Sequence, residues 1–297
     1  MSFSGKLAHF ARVKSAGGKP QIVMYISHPL AAVAAAELGR VCSSMRIGGF
    51  QFTNLLLPSE YQLQVVEAPN VPAEELKAAV RWRVKDMLSY HVDDAAIDVL
   101  QIPASQQGGD RPQSLYVVTA HNEVIKKRTA LFEDARLNLD IIDIPEMAQR
   151  NVAALFEDDG RALAVLAFDE NGGLLTFTAA GELYLARRIE ISRGQLLDAN
   201  DSLRQQAFDR LELEVQRSLD YVDRQFNYVS VNRMLVSAPR QSGLVERLSG
   251  NLSVPVERLD LTQVLDLTAV PELADSDVQA DALHVLGAAL RQERRAL

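Results

Sequence analysis

The sequence has very little cysteine, no long hydrophobic run and a shortage of positive charge. Its one cysteine, Cys42, excludes an intramolecular disulfide, which fits a reducing cytoplasm because no signal peptide is in view. The longest apolar runs, such as Leu30–Ala36, are far shorter than the roughly 20 residues of a membrane span. The 31 Lys and Arg residues are outnumbered by 39 Asp and Glu residues, which gives a net charge of −8 over 297 residues. Nucleic acid is therefore not an expected partner, because phosphate binding needs a basic face.

The motifs of several common catalytic and nucleotide-binding classes are also missing. The sequence contains neither a Walker A loop nor a G-x-G-x-x-G fingerprint, and it lacks the G-x-S-x-G and H-E-x-x-H motifs. No two of the five histidines stand at metal-ligand spacing, and a single thiol gives no zinc site. His284 lies in an apolar stretch and is predicted to be a packed core residue.

The most informative pattern is a meander of three short apolar runs that occurs twice. Runs rich in Val, Ile, Leu and aromatics, separated by Gly, Pro or Asn, are typical of antiparallel strands. The two copies predict a duplicated α/β fold with a cleft between its halves. The predicted strands are Gln21–Ser27, Leu30–Leu38 and Gly39–Phe52 in the first copy, and Ala162–Phe168, Leu174–Ala179 and Glu182–Ile191 in the second.

The segments around these meanders alternate between helical and strand patterns. From Pro72 to Pro145 the order helix, two strands, helix, strand indicates a small inserted α+β subdomain. A heptad-like apolar stripe then predicts a long helix at about Ser202–Asn227. The last helix is expected to begin with a capping box formed by Ser276 and Gln279. Its Gly-Ala-Ala-Leu run indicates close packing against a neighbour.

A basic arm at the start of the sequence suggests a surface for anionic lipid. Phe3, Leu7 and Phe10 fall at helical spacing and would share one face of a short helix. Lys6 and Lys14 would add about 1 kcal/mol each at an anionic membrane. The alternative interpretation is a frayed, solvated terminus.

One glycine-rich turn could hold a phosphate. Asp169, Asn171, Gly172 and Gly173 belong to an Asp-Glu-Asn-Gly-Gly turn, whose backbone N–H groups could bind an anion while its carboxylate holds magnesium through water. The alternative is a hairpin turn that needs glycine only for a positive φ. Both interpretations stay open at this point.

Five segments together resemble the PilM family of type IV pilus assembly proteins. The Val-Pro-x-x-Glu-Leu-x-x-Ala-Val-Arg-Trp pattern that ends at Trp82 is the most specific part, and the resemblance spans nearly the whole sequence. The segments that carry it are Leu55–Leu88, Ile141–Leu155, Gly181–Ile191, Glu212–Phe226 and Ala282–Arg291.

This resemblance implies an actin-like, ribonuclease H-like α/β fold with an inserted small α+β subdomain. The implied division is residues 1–71 for the first part of lobe one, 72–145 for the insertion, and 146–297 for lobe two with its return helix. It further implies a cytoplasmic protein, peripheral at the inner membrane, that captures the cytoplasmic peptide of a PilN-like bitopic membrane protein. Arg81, Trp82, Arg83 and Lys85 are the predicted rim of that peptide site, although Trp82 could instead pack in the core.

The nucleotide loops of the family are altered in this sequence. Where the family has an Asp-x-Gly-Ser turn, residues 25–29 read Tyr-Ile-Ser-His-Pro, and Asp169 stands about two residues off the register of the second phosphate loop. Ser237 and Ala238 replace the Gly-Gly pair of the adenosine loop, where any Cβ would intrude.

Glu214 and Arg217 remain as the adenosine contacts that the resemblance implies. We therefore expect no cofactor and no enzymatic activity. An ATP- and magnesium-dependent switch is one alternative, and a GspL-like domain of type II secretion is a second. Homo-oligomerisation stays open.

Overall fold

The computed structural model describes residues 1–14, 17–104, 113–170 and 172–292. The chain divides into two compact units, and the division falls within two N-terminal strands. Unit 1 contains Met1–Ala8 and His28–Ile144, and unit 2 contains His9–Ser27 and Pro145–Arg291. The boundaries predicted at residues 71 and 145 stay a prediction.

The first residues form strands and not the amphipathic helix that their spacing suggested. Strands β1 (Ser2–Ser4), β2 (Leu7–Lys14) and β3 (Gln21–Pro29) make a three-stranded sheet in that order. Phe3 and Phe10 are buried, at 7% and 1% exposure. The helix prediction is wrong because hydrogen bonding between adjacent strands of the sheet outweighs a short local periodicity. The membrane contact assigned to Phe3, Lys6, Leu7, Phe10 and Lys14 therefore loses the helix on which it was based.

The first meander is consequently β1–β2–β3, and two of its three predicted strands are wrong. Of the segment 30–52, Ala35–Ser44 forms helix α1 and only Gln51–Leu55 forms a strand, β4. The run before α1 is rich in alanine, which has the highest helix propensity. Glu37 accepts hydrogen bonds from the backbone N–H groups of Ala31 and Ala32 at 2.9 and 3.0 Å, which stabilises this helix start.

The remainder of unit 1 contains the helices and strands that were predicted between Pro72 and Pro145. Strands β5, β6 and β7 form an antiparallel sheet in the order β5-β7-β6, and β4 pairs in parallel with β8. Val80 and Val84 of helix α2 are buried against Leu115 and Val117 of the central strand. The elements are β5 (Tyr61–Glu67), α2 (Leu76–Val84, between 3-10 turns at Ala73–Glu75 and Lys85–Met87), β6 (Ala95–Gln101), β7 (Ser114–His121), α3 (Asn122–Asp134) and β8 (Asn138–Asp143).

Unit 2 is built on a five-stranded sheet that contains the second meander, as predicted. Its order is β11-β10-β9-β12-β13, with the meander antiparallel and β12 parallel to both of its neighbours. The near-continuous apolar runs fit strands that are buried on both faces. The elements are α4 (Pro145–Ala153), β9 (Ala162–Asp169), β10 (Gly172–Ala179), β11 (Glu182–Ile189), α5 (Arg193–Leu196), α6 (Asp201–Gln225), β12 (Val231–Ser237), α7 (Leu244–Asn251), β13 (Val256–Arg258) and α8 (Ser276–Ala289).

Helices α4 and α8 approach each other closely, as the small residues of α8 predicted. A Cβ at Gly287 would lie only 2.0 Å from the carbonyl oxygen of Ala148. The predicted capping box of α8 is wrong, because the cap is Asp275, which accepts from the N–H of Asp277 at 2.8 Å. Gln279 is buried and donates to the carbonyl of Leu273 at 2.8 Å, so tertiary hydrogen bonding outweighs the local motif.

None of the helices in the described ranges combines the length and the hydrophobicity that crossing a bilayer requires.

Candidate functional site

The β9–β10 turn uses its glycines for strand packing. Gly172 has a φ of 136°, and a Cβ there would lie 2.7 Å from the carbonyl oxygen of Ile189 on β11. A Cβ at Gly173 would lie 2.9 Å from the Phe168 ring. The backbone geometry of this hairpin therefore explains both glycines without a bound phosphate. Asn171, the third predicted residue of this turn, lies outside the described residues.

The ends of two parallel strands bring three of the predicted site residues to the same sheet edge. Ser237 pairs with Ala167 across β12 and β9, so Ser237 and Ala238 follow the same edge as Asp169. Both residues are buried, and the carbonyl of Ala238 accepts from Arg258 at 3.0 Å. Ser237 and Ala238 thus place a hydroxymethyl group and a methyl group at this edge of the sheet.

Asp169 faces a histidine. The Asp169 Oδ2 atom lies 3.8 Å from Nδ1 of His284 on α8. The other ring nitrogen, Nε2, lies 3.2 Å from Oε1 of Gln149 on α4. The Gln149 amide nitrogen donates to Thr176 Oγ1 at 2.9 Å and to two backbone carbonyls, so its oxygen accepts and His284 donates from Nε2.

Burial favours the neutral form of this histidine. Removal from water lowers the pKa of His284, while the nearby Asp169 and Glu146 carboxylates act in the opposite direction and Arg188 reinforces the lowering. Glu146, 2% exposed, is itself paired with Arg188 at 3.0 Å. Asp169, His284, Gln149, Glu146 and Arg188 therefore form a polar cluster inside unit 2, in which the side chains contact one another.

The sequence interpretation missed most of this cluster. His284 was correctly assigned to the interior, but Glu146 and Gln149 on α4 and Arg188 on β11 were not singled out. The available signal was the polar segment Glu146–Asn151, which lies in a helix between two apolar segments. Polar side chains in such a helix need internal partners.

The two residues proposed to contact adenosine pair with each other. Arg217 donates to Glu214 at 3.2 Å, one helical turn apart on α6, and their side chains are 61% and 44% exposed. A surface pair of this kind is worth about 0.3–0.5 kcal/mol. Their contact with adenosine stays a prediction.

The predicted first phosphate turn is wrong. Tyr25, Ser27 and Pro29 lie within the extended strand β3, so residues 25–29 form no turn. The connection between the first two strands is instead Gly5-Lys6, which carries no carboxylate. The error arose because the sequence pattern made Gln21–Ser27 the first strand of the meander, whereas this segment lies in the third strand, β3.

The predicted peptide rim lies on the exposed side of α2 and the turn that follows. Trp82 is 73% exposed, so its assignment to core packing is wrong. Lys85 Nζ lies 5.8 Å from the centroid of the Trp82 ring, and Arg81 pairs with Asp93 at 3.0 Å. Together with Arg83 these side chains form a basic and aromatic surface.

Within the described ranges, no three His, Cys, Asp or Glu side chains are grouped so that they could hold a metal ion.

Comparison with known proteins identifies the fold. No protein-family model and no curated protein sequence matches the chain. The solved structures that resemble it include the following three. A chain of the PilM–PilN type IV pilus biogenesis complex is 17% identical, with 97% of this chain and 96% of that chain covered and a TM-score of 0.72. The cytoplasmic domain of EpsL, an inner-membrane component of the Vibrio cholerae type II secretion system, is 12% identical over 85% and 86%, with a TM-score of 0.44. A Bacteroides thetaiotaomicron protein of actin-like ATPase fold and unknown function is 8% identical over 92% and 94%, with a TM-score of 0.46.

The chain is thus an α/β protein of the actin-like class, which confirms the predicted fold. Within that class it shares the fold of the chain from the PilM–PilN complex over nearly its whole length. At 17% identity this likeness establishes the fold alone.

Proposed function

We propose that this protein is a cytoplasmic actin-like scaffold of type IV pilus biogenesis that binds the cytoplasmic peptide of a PilN-like bitopic inner-membrane protein. The supporting observation is the likeness to the PilM–PilN chain, with a TM-score of 0.72 over 97% of this chain. The sequence pattern that ends at Trp82 supports the finer proposal that it is a member of the PilM family. Within that family, the sequence most resembles MshI, the biogenesis protein of the mannose-sensitive haemagglutinin (MSHA) pilus. The protein would then be peripheral at the inner membrane, held there through its partner.

The surface proposed for the peptide is the rim on α2. Exposed tryptophan and arginine are the side chains that most often anchor interfaces. Val80 and Val84 on the opposite face of the helix are fully buried, so the rim is presented by a firmly packed element. Binding would therefore have to order the side chains of Trp82 and Arg83 but not the helix that carries them.

Peptide titration by fluorescence anisotropy tests this surface. The probe is the labelled cytoplasmic peptide of the PilN-like protein, and the variant is Trp82→Ala combined with Arg83→Glu. Arg81 is left intact because it pairs with Asp93. We expect binding to weaken at least tenfold, whereas Lys126→Glu, an exposed charge reversal on α3, should change it less than twofold. Equal affinity of the rim variant and the unmodified protein would remove this face from the proposal.

We further propose that the sheet edge formed by Asp169, Ser237 and Ala238 binds no nucleotide and that the protein is not an ATPase. The supporting observations are the buried Ala238 methyl group, the strand packing that requires Gly172, and Asp169 facing His284 in place of an open carboxylate. Calorimetry with Mg·ATP should give no saturable heat. Micromolar binding that disappears in Asp169→Ala would support the alternative of an ATP-dependent switch.

A further inference from the structure

The outward face of helix α6 carries a row of arginines with apolar side chains between them. Arg210, Arg217 and Arg224 are seven residues apart, and all three are exposed. Leu213 and Tyr221 lie on the same side and are 47% and 40% exposed. These five residues are called the basic face of α6. Residues at a spacing of seven stay in line along a helix, so the row extends for about 21 Å.

The aromatic end of this face is held in place by neighbouring side chains. The guanidinium of Arg187 on β11 lies 5.3 Å from the centroid of the Tyr221 ring. Phe226, which is buried, meets the Tyr221 ring edge-on with centroids 6.5 Å apart and the Tyr184 ring at 5.2 Å. An aromatic ring fixed from behind loses little side-chain entropy when a partner covers it.

The charge of this face is opposite to that of the protein. The chain has a net charge of −8, yet three arginines of α6 and Arg187 lie around Leu213 and Tyr221. Among the acidic side chains of the same helix, Asp209 and Glu212 are engaged by Arg247 of α7. Glu214 pairs with Arg217, and Asp220 is exposed beside the row, so the four arginines exceed the two carboxylates on this side of the helix. Arginine and tyrosine are enriched at binding hot spots.

We infer that the basic face of α6 docks an acidic amphipathic helix of another protein. The charge of the face calls for acidic side chains, and Leu213 and Tyr221 provide apolar contacts between them. The seven-residue spacing matches the repeat of a helix that packs lengthwise at about 20°. A second copy of this chain is a poorer occupant, because an antiparallel α6 pair would bring Arg217 opposite its own counterpart. This inference does not rest on the proposed function, since the peptide rim belongs to unit 1 and α6 to unit 2.

A synthetic helix tests the chemistry of the site directly. The probe is a labelled peptide of about 20 residues, with glutamates at three positions seven apart and leucines between them. Its binding to the full chain is measured by fluorescence anisotropy at two salt concentrations. We expect saturable binding that weakens with salt. The affinity should fall at least tenfold in the triple variant Arg210→Glu, Arg217→Glu, Arg224→Glu.

Two controls separate a specific site from general charge attraction. The variant Arg40→Glu, Arg46→Glu, Lys126→Glu changes the net charge equally at exposed positions of unit 1, and it should bind the peptide within twofold of the unmodified protein. A scrambled peptide of the same composition should bind at least tenfold more weakly.

Three outcomes would overturn the inference. Equal binding of the scrambled peptide, or unchanged binding by the α6 variant, would mean that the face selects no helix. Sedimentation of the protein as a dimer that the α6 variant abolishes would assign the face to a second copy. Binding to anionic vesicles that the α6 variant loses, with no binding of the peptide, would assign it to a lipid surface.

Discussion

Replacing Gly287 with alanine should destabilise the protein through the contact between α8 and α4. The new Cβ would lie 2.0 Å from the Ala148 carbonyl oxygen and 2.6 Å from its carbonyl carbon. The helices would have to separate by about 1.4 Å to reach ordinary van der Waals contact. This would also stretch the hydrogen bond from the Asn151 amide to the carbonyl of Gly287, which is 3.0 Å long.

Two opposing terms set the magnitude. Overpacking a well-packed interface costs about 1–3 kcal/mol and sometimes more, and weakening the spanning hydrogen bond costs about 1 kcal/mol. Alanine gains about 1 kcal/mol over glycine through its higher helix propensity. We therefore expect Gly287→Ala to lower the free energy of unfolding by about 2 kcal/mol.

A matched control is available on α7. Gly250 also lies inside a helix, but a Cβ there would meet nothing within 4 Å. Gly250→Ala should therefore raise the free energy of unfolding by up to about 1 kcal/mol. Urea unfolding of both variants, followed by circular dichroism, measures the difference. A Gly287→Ala variant as stable as the Gly250→Ala variant would refute the close approach of the two helices.

Three further predictions concern single side chains. Trp82→Ala should change the free energy of unfolding by less than about 0.5 kcal/mol, because the ring is exposed. Val80→Ala should lower the free energy of unfolding by about 2 kcal/mol, because it leaves a buried cavity. Urea unfolding measures both. Burial lowers the pKa of His284 below its ordinary value of 6.5, so the unfolded chain binds more protons than the folded chain. The free energy of unfolding should therefore fall as pH drops below 6.5. His284→Gln should reduce this pH dependence in unfolding curves recorded between about pH 5 and 8. Glu60→Ala should lower the free energy of unfolding by about 3 kcal/mol in urea, because it leaves the buried Arg128 guanidinium, 2.6 Å from both Glu60 oxygens, without its carboxylate.

Each of these has a clear contrary result. Equal losses of unfolding free energy in Trp82→Ala and Val80→Ala would contradict the orientation of α2, which exposes Trp82 and buries Val80. If the free energy of unfolding of His284→Gln depends on pH as it does in the unmodified protein, the acid sensitivity belongs to another group. One such group is His9, whose pKa is also lowered by burial. A Glu60→Ala protein of unchanged stability would mean that Arg128 reaches water.

The elements best predicted from sequence are those with strong local periodicity. The second meander, the long helix α6 and the α2–β6–β7–α3 order all follow from apolar spacing, because one buried face dictates one residue pattern. The N-terminal strands could not be predicted in this way. Phe3, Leu7 and Phe10 fit a short helical stripe and do not alternate as strand residues would, and only pairing between whole strands decides for the sheet.

The positions of the candidate site residues on the predicted strands follow from the sequence, but their contacts do not. The carboxylate of Asp169 near a glycine pair is visible in the sequence. The partner of that carboxylate, His284, is more than a hundred residues away in sequence, and no local pattern joins them. The exposure of Trp82 likewise depends on which face of α2 the underlying sheet covers.

The amino-acid sequence alone determined the α/β class and most of the helices and strands, because these depend on local composition and spacing. Only the tertiary structure decided where the first meander begins, that Gln149 fixes the ring orientation of His284, and that Arg187 supports Tyr221 beside the arginine row of α6. Those features join residues far apart in the chain, and burial and hydrogen bonding between such residues exist only once the fold has formed.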